Sequence, residues 1–162
     1  MLLRKRVEIV IRSTPERIWD FASDPANWTA SNPEEHLGLR FDNPANRPET
    51  GVTFHQRETV AGIFADLRGH IQYALRPKVC VWTGVATYRF LGLRVRIPEG
   101  GVAQLEPAEG GTEMSHAVYM DFPETLRGRI AFWLFKNLLR GEERLFSHAY
   151  KELLYFKGRL ED

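Results

Sequence analysis

The sequence has very little cysteine, since Cys80 is the only one among its 162 residues. A single thiol cannot form an intrachain disulfide, so the fold must be held together by packing of apolar side chains. The N-terminal stretch "MLLRKRVEIV" also lacks the apolar run of a signal peptide. Both absences predict a protein of the reducing cytoplasm.

An excess of charge of one sign is also missing. The chain carries 22 Lys and Arg against 21 Asp and Glu, for a net charge of +1. Nucleic-acid binders usually show a basic excess, so this balance argues against a nucleic-acid partner. The longest apolar run, "IAFWLF" at Ile130–Phe135, is far shorter than the about 20 residues that cross a bilayer, so no integral membrane segment is predicted. We expect one soluble domain spanning residues 1–162.

Motifs for cofactors and for covalent catalysis are absent as well. No group of His, Cys, Asp and Glu has the local spacing of a metal site. No serine lies in a nucleophile-elbow sequence, and "PEGG" and "AEGG" are typical of hairpin turns. The sequence therefore predicts neither a metal nor a cofactor.

Alternation of apolar and polar residues is abundant. In "TEMSHAVYMDF" the side chains of Met114, His116, Val118 and Met120 fall on one face of an extended chain. The same period recurs through about 80 residues, in segments joined by short turns without an intervening helix, which predicts neighbouring antiparallel strands. These segments place further aromatic side chains on their predicted inner faces, namely Phe54, Tyr73, Trp82 and Tyr88.

Helical patterns flank the strands. A first strand at residues 4–12 is followed by "STPERIWDFASDPANW", in which Ser13 or Thr14, and then Asp24, are suitable N-caps for two short helices.

From Pro123 onward, apolar residues recur with the period of one long amphipathic helix. Its predicted apolar arc includes Phe135, Leu138 and Glu142. Gly141 lies in the middle, where a glycine indicates a kink or a close approach to the backbone.

The element order, the opening "VEIVIRSTPERIWDFASDPANW" and the closing "AYKELLYFK" resemble the START and birch-pollen-allergen-like superfamily (SRPBCC), and its polyketide cyclase/dehydrase-like branch in particular. The resemblance implies an α+β helix-grip fold. In this fold a curved antiparallel sheet of about seven strands wraps around a long C-terminal helix, and two short helices follow the first strand. It also implies a large cavity that binds lipids, polyketides and other apolar molecules, and in some members catalyses reactions on them.

Three ionisable residues are candidates for catalysis if the protein is an enzyme. His116 is either a core histidine with a hydrogen-bond partner or an acid/base group that faces the cavity. Glu142 is either a buried acid or, if Gly141 breaks the helix, a residue turned toward solvent or Arg144. Glu58 either faces His116 across the cavity or lies in an exposed row of cross-strand charge pairs.

The leading functional hypothesis is a protein that binds an apolar or amphipathic small molecule of lipid, polyketide or aromatic type. The alternative is a polyketide cyclase or dehydratase, in which His116 and Glu142, or Glu58, move protons. A third hypothesis is a protein-interaction module, or a homodimer, that uses a surface including Trp133. The residues predicted to contact the ligand are Phe54, Tyr73, Trp82, Tyr88, Met114, His116, Val118, Met120, Phe135 and Leu138.

Overall fold

The computed structural model describes residues 1–90 and 92–161, apart from the side chains of Phe90 and Leu93. Its strands are β1 (Leu2–Ile11), β2 (His36–Phe41), β3 (Thr53–Val60), β4 (Ile63–Leu75), β5 (Val79–Phe90), β6 (Leu93–Ala108) and β7 (Gly111–Asp121). Its helices are α1 (Pro15–Ala22), α2 (Pro25–Ser31), α3 (Leu126–Trp133), a π-helical segment (Leu134–Leu138) and α4 (Gly141–Glu161).

The strands form a single antiparallel sheet in the order β1-β7-β6-β5-β4-β3-β2. Helix α4 packs against β1 at one edge of the sheet and also contacts β3, α1 and α2. The sheet is curved but not closed, because the edge strands β1 and β2 do not pair with each other. The predicted seven-stranded helix-grip arrangement is confirmed.

The two short helices begin at caps that the sequence indicated. Thr14 accepts a hydrogen bond from the Arg17 amide at the start of α1, and Asp24 accepts one from the Ala26 amide at the start of α2. A proline occupies the first turn of each helix, where its missing N–H removes no helical bond. Helix α2 packs against β2.

The C-terminal helical region is interrupted, whereas the sequence predicts one long helix. The segment Leu134–Leu138 is π-helical, and Arg140 has a left-handed φ of 52° just before α4 restarts. A Cβ atom at Gly141 would clash with the ring of Phe135. Glycine is therefore required at this position by a close side-chain approach, and the break changes the direction in which the following residues point.

Buried apolar side chains on both sides of this break hold α4 against the sheet. One cluster includes Phe54, Leu67 and Phe135, and the other includes Ile18 and Leu153. Within the described ranges, no helix is both long enough and apolar enough to cross a membrane.

Candidate functional site

An apolar pocket lies between the concave face of the sheet, α1 and α4, and has a volume of about 160 Å³. The ends of strands β2 to β7 supply one wall, and residues of α1 and α4 supply the other. Its lining is almost entirely aliphatic and aromatic, and includes Ile18, Trp19, Trp28, Phe41, Phe54, Ile71, Trp82, Ala103, Met114, Leu153 and Phe156.

A second cavity of about 100 Å³, which we call the polar chamber, lies deeper under α4. The apolar pocket and the polar chamber share lining residues, so they adjoin. The shared residues are Trp28, Gln56, Trp82, His116 and Glu152. The polar chamber is lined in addition by ionisable side chains from β3, β5, β6 and α4, namely Glu58, Tyr88, Glu99 and His148.

Helix α4 contributes His148 and Glu152 to the chamber. The two residues are four apart and therefore lie on one face of the helix. That face is otherwise apolar, since Leu145, Ala149 and Leu153 are buried on it. The helix thus carries an imidazole and a carboxylate into the interior.

His36 reaches the same place from β2. It lies directly opposite Glu58 in the β2–β3 register, and its ring stacks on Trp28 with centroids 3.6 Å apart. His36 Nδ1 donates to the Trp28 carbonyl oxygen at 2.7 Å, because a carbonyl can only accept. His36 Nε2 lies 3.0 Å from Glu152 Oε1 and 3.1 Å from His148 Nε2.

His148 has carboxylates on both sides of its ring. Its Nδ1 donates to Glu35 Oε2 at 2.7 Å, and its Nε2 lies 3.3 Å from Glu152 Oε1 and 3.5 Å from Glu58 Oε2. Burial disfavours the imidazolium, but the hydrogen bonds with Glu152, Glu35 and Glu58 outweigh it and raise the pKa of His148 to about 12. The hydrogen bond from His148 also lowers the pKa of Glu35.

Glu152 is the centre of the cluster. It is buried, and its two oxygens contact three histidines: Oε1 faces His36 and His148, and Oε2 lies 3.4 Å from His116 Nδ1. Burial alone would raise the pKa of this carboxyl, but the hydrogen bonds from the three histidines hold the pKa well below its usual range. We call His36, Glu58, His148 and Glu152 the His/Glu cluster.

A second carboxyl in the chamber behaves in the opposite way. Tyr88 Oη donates to Glu99 Oε1 at 2.5 Å, and both residues are buried. Burial and the nearby Glu58 raise the pKa of Glu99 to about 8, although the hydrogen bond from Tyr88 opposes the shift. Burial, together with Glu99, raises the pKa of the Tyr88 hydroxyl well above its ordinary value. The chamber therefore holds two carboxyls in different states near neutral pH: Glu99 keeps its proton, and Glu152 has lost its proton.

The structure brings most of the residues predicted from the sequence to these cavities. Phe54, Trp82 and Met114 line the apolar pocket, and His116 lies where it meets the chamber. The chamber is also lined by Glu58, Tyr88, Val118 and Met120. Phe135 instead lines a third cavity, apolar and of about 40 Å³, beside the π-helical segment, which shares Tyr88 and Met120 with the chamber.

Tyr73 and Leu138 lie outside the cavities, contrary to the prediction. A β-bulge in β4 shifts the register between Ile71 and Tyr73, so that the tyrosine turns to the outer face and is 47% exposed. Leu138 is 61% exposed, because the π-helical segment departs from the α-helical period on which the prediction rests.

Glu142 is also wrong as a cavity acid. It follows the break at Gly141 and lies outside the chamber, 3.1 Å from Lys5 Nζ and 3.6 Å from Lys136 Nζ. The hydrogen bond from Lys5 lowers the pKa of this partly exposed carboxyl. The alternative in which Gly141 turns Glu142 away from the core is the one found, with lysines rather than Arg144 as partners.

Sequence reasoning missed His36, Glu99, His148 and Glu152. A signal was present for two of them: His148 and Glu152 are four residues apart and flanked by apolar residues at core spacing. Trp133, the residue predicted for a partner surface, is 59% exposed beside the exposed Leu126 and Ile130 of α3. Homodimerisation through this surface stays a prediction.

Comparisons with known proteins give likeness in structure but not in sequence. No family model matches the chain, and no curated protein matches it. A START superfamily protein from Mycobacterium smegmatis superposes with a TM-score of 0.59 at 16% identity, over 99% of this chain and 97% of that one. The major latex-like protein of Panax ginseng gives a TM-score of 0.56 at 10% identity, over 92% and 98%.

An uncharacterized protein from Rhizobium leguminosarum gives a TM-score of 0.63 at 15% identity, over 99% of this chain and 95% of the other. These likenesses extend over nearly the whole of each chain and therefore describe the complete fold. Together with the observed sheet order and C-terminal helix, they show that the chain has the helix-grip fold.

Proposed function

We propose that the protein binds a small amphipathic molecule, with its apolar body in the apolar pocket and a polar group directed toward His116. The observation that carries this proposal is the junction of an apolar pocket with a polar chamber at His116 and Glu152. Burial of apolar area stabilises a ligand by about 25 cal/mol per Å². A few polar groups in such a pocket orient the ligand. The resemblance to START proteins implies a ligand that is a lipid, a polyketide or another apolar molecule.

The cavity volumes favour a compact ligand. The apolar pocket, at about 160 Å³, is close to the about 150 Å³ of an apolar cavity that holds benzene. Sites for drug-sized ligands are larger, at about 300–1,000 Å³. A molecule of one or two fused rings with a hydroxyl or carbonyl group fits this size, whereas a whole phospholipid would need the pocket to open.

Filling the pocket should abolish binding. Ala103 lines the apolar pocket on β6, and Ala103→Trp places an indole where the ligand body would lie. We expect at least a tenfold loss of affinity for 2-naphthol, measured by isothermal titration calorimetry, and loss of the negative heat-capacity change that accompanies apolar burial. Gln104→Trp, one residue along the strand and on its other face, is the control and should bind normally.

Native mass spectrometry of the freshly purified protein tests the proposal without a chosen ligand. An apolar molecule retained by the wild type and missing from Ala103→Trp would identify the ligand class. The proposal would be overturned if neither a retained molecule nor uptake of 2-naphthol were found, or if both variants bound equally well.

A second candidate function is acid–base catalysis on a ligand of polyketide type, and the contact between His116 and Glu152 favours it. His116 Nδ1 lies 3.4 Å from Glu152 Oε2, and the ring borders both cavities. A carboxylate that orients an imidazole at a pocket boundary is suited to proton transfer on a ketone or alcohol during cyclisation or dehydration. The pocket would supply the productive geometry.

Binding and catalysis predict different effects of His116→Gln. If the protein catalyses a cyclisation or dehydration, turnover should fall by about 10²–10⁴-fold. Affinity for 2-naphthol should fall only about fivefold, because one hydrogen bond contributes about 1 kcal/mol. Unchanged turnover in the variant would remove His116 from the chemistry, whereas no turnover by the wild type would leave a binding protein.

A further inference from the structure

Four potential metal ligands converge at the wall of the polar chamber. His36 Nε2, His148 Nε2 and Glu152 Oε1 are mutually 3.0, 3.1 and 3.3 Å apart, and Glu58 Oε2 is 3.5 Å from His148 Nε2. Ligand atoms of His36, Glu58 and His148 all lie within 4.8 Å of one another. All four side chains are buried.

The Nδ1 atoms of His36 and His148 point away from the centre of the cluster, and both donate hydrogen bonds. His36 Nδ1 donates to the Trp28 carbonyl, and His148 Nδ1 donates to the Glu35 carboxylate. Because both Nδ1 atoms keep their protons, a bound metal would displace only the Nε2 protons, and each Nε2 would then present a lone pair to the centre of the cluster. The two Nε2 atoms would then be available to a cation together with the carboxylate oxygens of Glu58 and Glu152, which lie 3.5 Å and 3.3 Å from His148 Nε2.

The distances match a ligand shell of a small divalent ion. Zinc binds imidazole nitrogen and carboxylate oxygen at about 2.0–2.2 Å in tetrahedral geometry, which places adjacent ligand atoms about 3.3–3.6 Å apart. The contacts within the His/Glu cluster, at 3.0 to 3.5 Å, are close to that edge length. Two carboxylates would also balance a charge of two in a buried site.

The surroundings of the cluster have the organisation of an outer ligand shell. Metal-bound histidines characteristically donate their second N–H to a carboxylate or a backbone carbonyl, which fixes the ring and its tautomer. His148 has the first arrangement, with Glu35, and His36 has the second, with Trp28. The second oxygen of Glu152 contacts His116, and the Asn32 amide donates to Glu35 Oε2.

We propose that His36, Glu58, His148 and Glu152 form a binding site for a divalent first-row transition metal, with Zn²⁺ as the best fit to two imidazoles and two carboxylates. Sequence spacing could not indicate this site, because the ligands come from β2, β3 and α4. Only His148 and Glu152 are neighbours on one element. The proposal does not depend on the ligand-binding function, because only Glu152 of the four ligands also lines the apolar pocket.

Metal analysis tests the site directly. We expect chelator-treated full-length protein to take up about one Zn²⁺ per chain and to unfold at least about 5 °C higher with saturating Zn²⁺. Replacing Zn²⁺ with Co²⁺ should give visible absorption of the intensity typical of four-coordinate sites. Glu58→Gln and His36→Gln should each lower the affinity at least tenfold, while His70→Gln, which alters an exposed histidine, should bind as the wild type does.

Circular dichroism should show that each variant is folded before its metal content is measured. If His36→Gln does not fold, Glu58→Gln still tests the site, because it keeps the shape of the side chain. The proposal is wrong if chelated protein takes up less than about a tenth of an equivalent of Zn²⁺, Co²⁺ and Mn²⁺ with no change in unfolding temperature. It is also wrong if binding survives both substitutions. Binding of 2-naphthol is scored separately, so either proposal can fail alone.

Discussion

Replacing Glu152 with glutamine is expected to destabilise the metal-free protein by about 3–5 kcal/mol, the usual cost of removing one partner from a buried ion pair. Glu152 is buried and contacts His36, His116 and His148. Without that charge, the imidazolium of His148 loses its most central counter-ion at a buried position. The measurement is urea unfolding at neutral pH with chelator present, where the midpoint should fall and the slope should stay constant.

The sign of the pH dependence follows from the lowered pKa of Glu152. Its carboxylate contributes stability above the ordinary value of 4.5, and that contribution is lost as the pH falls toward the lower folded-state pKa. The difference between wild type and Glu152→Gln should therefore shrink in acid. Glu143→Gln on the same helix removes one side of an exposed ion pair with Arg140 and should change stability by less than about 1 kcal/mol. A comparable small effect for Glu152→Gln would show that water solvates the cluster.

Glu99→Gln is expected to have the opposite effect and to stabilise the protein at neutral pH. The folded protein keeps the Glu99 proton up to about pH 8, whereas the unfolded chain releases it near 4.5. Between these pH values the unfolded chain binds fewer protons than the folded protein. The contribution of Glu99 to the free energy of unfolding of the wild type therefore falls as the pH rises, and it becomes constant above about pH 8. The amide needs no proton and can still accept from Tyr88. The gain should be about 3 kcal/mol at pH 7 and should disappear near pH 4.5.

Unfolding curves for both proteins across that pH range measure this difference. The control is Glu106→Gln, which changes an exposed glutamate of the same strand. Its stability difference from wild type should be small and nearly independent of pH. If Glu99→Gln gave a flat or negative difference across the range, Glu99 would be ionised in the folded protein and the Tyr88–Glu99 contact would be a charged one.

The fold could be read from the sequence because its signals are local. Alternation defined the strands, and Thr14 and Asp24 with their prolines defined the short helices. His116 stood out because it lies in an otherwise apolar strand face. The predictions of side-chain orientation fail where one residue shifts the periodic pattern for all the residues that follow it in the same element. The bulge before Tyr73 and the left-handed Arg140 both depend on tertiary contacts that no local period records.

The His/Glu cluster was missed for a related reason. His36 and Glu99 each look like ordinary polar residues of a strand. Only the sheet register and the docking of α4 bring them, together with the predicted candidate Glu58, near His148 and Glu152. Polar residues are more often exposed than buried, so each of these residues, considered alone, is predicted to lie at the surface. The pair on α4 carried a usable spacing, but its phase could not be assigned without locating the break at Gly141.

The order of elements along the chain has a consequence for synthesis on the ribosome. All seven strands precede α4, so they are synthesised before the helix that covers the inner face of the sheet. Until that helix docks, the concave surface around Phe54 and Met120 is open, and the carboxyls of Glu58 and Glu99 face water. We expect the nascent chain to expose this concave apolar surface to chaperones until α4 docks. The acidic and basic groups of the chamber come into contact only at that step.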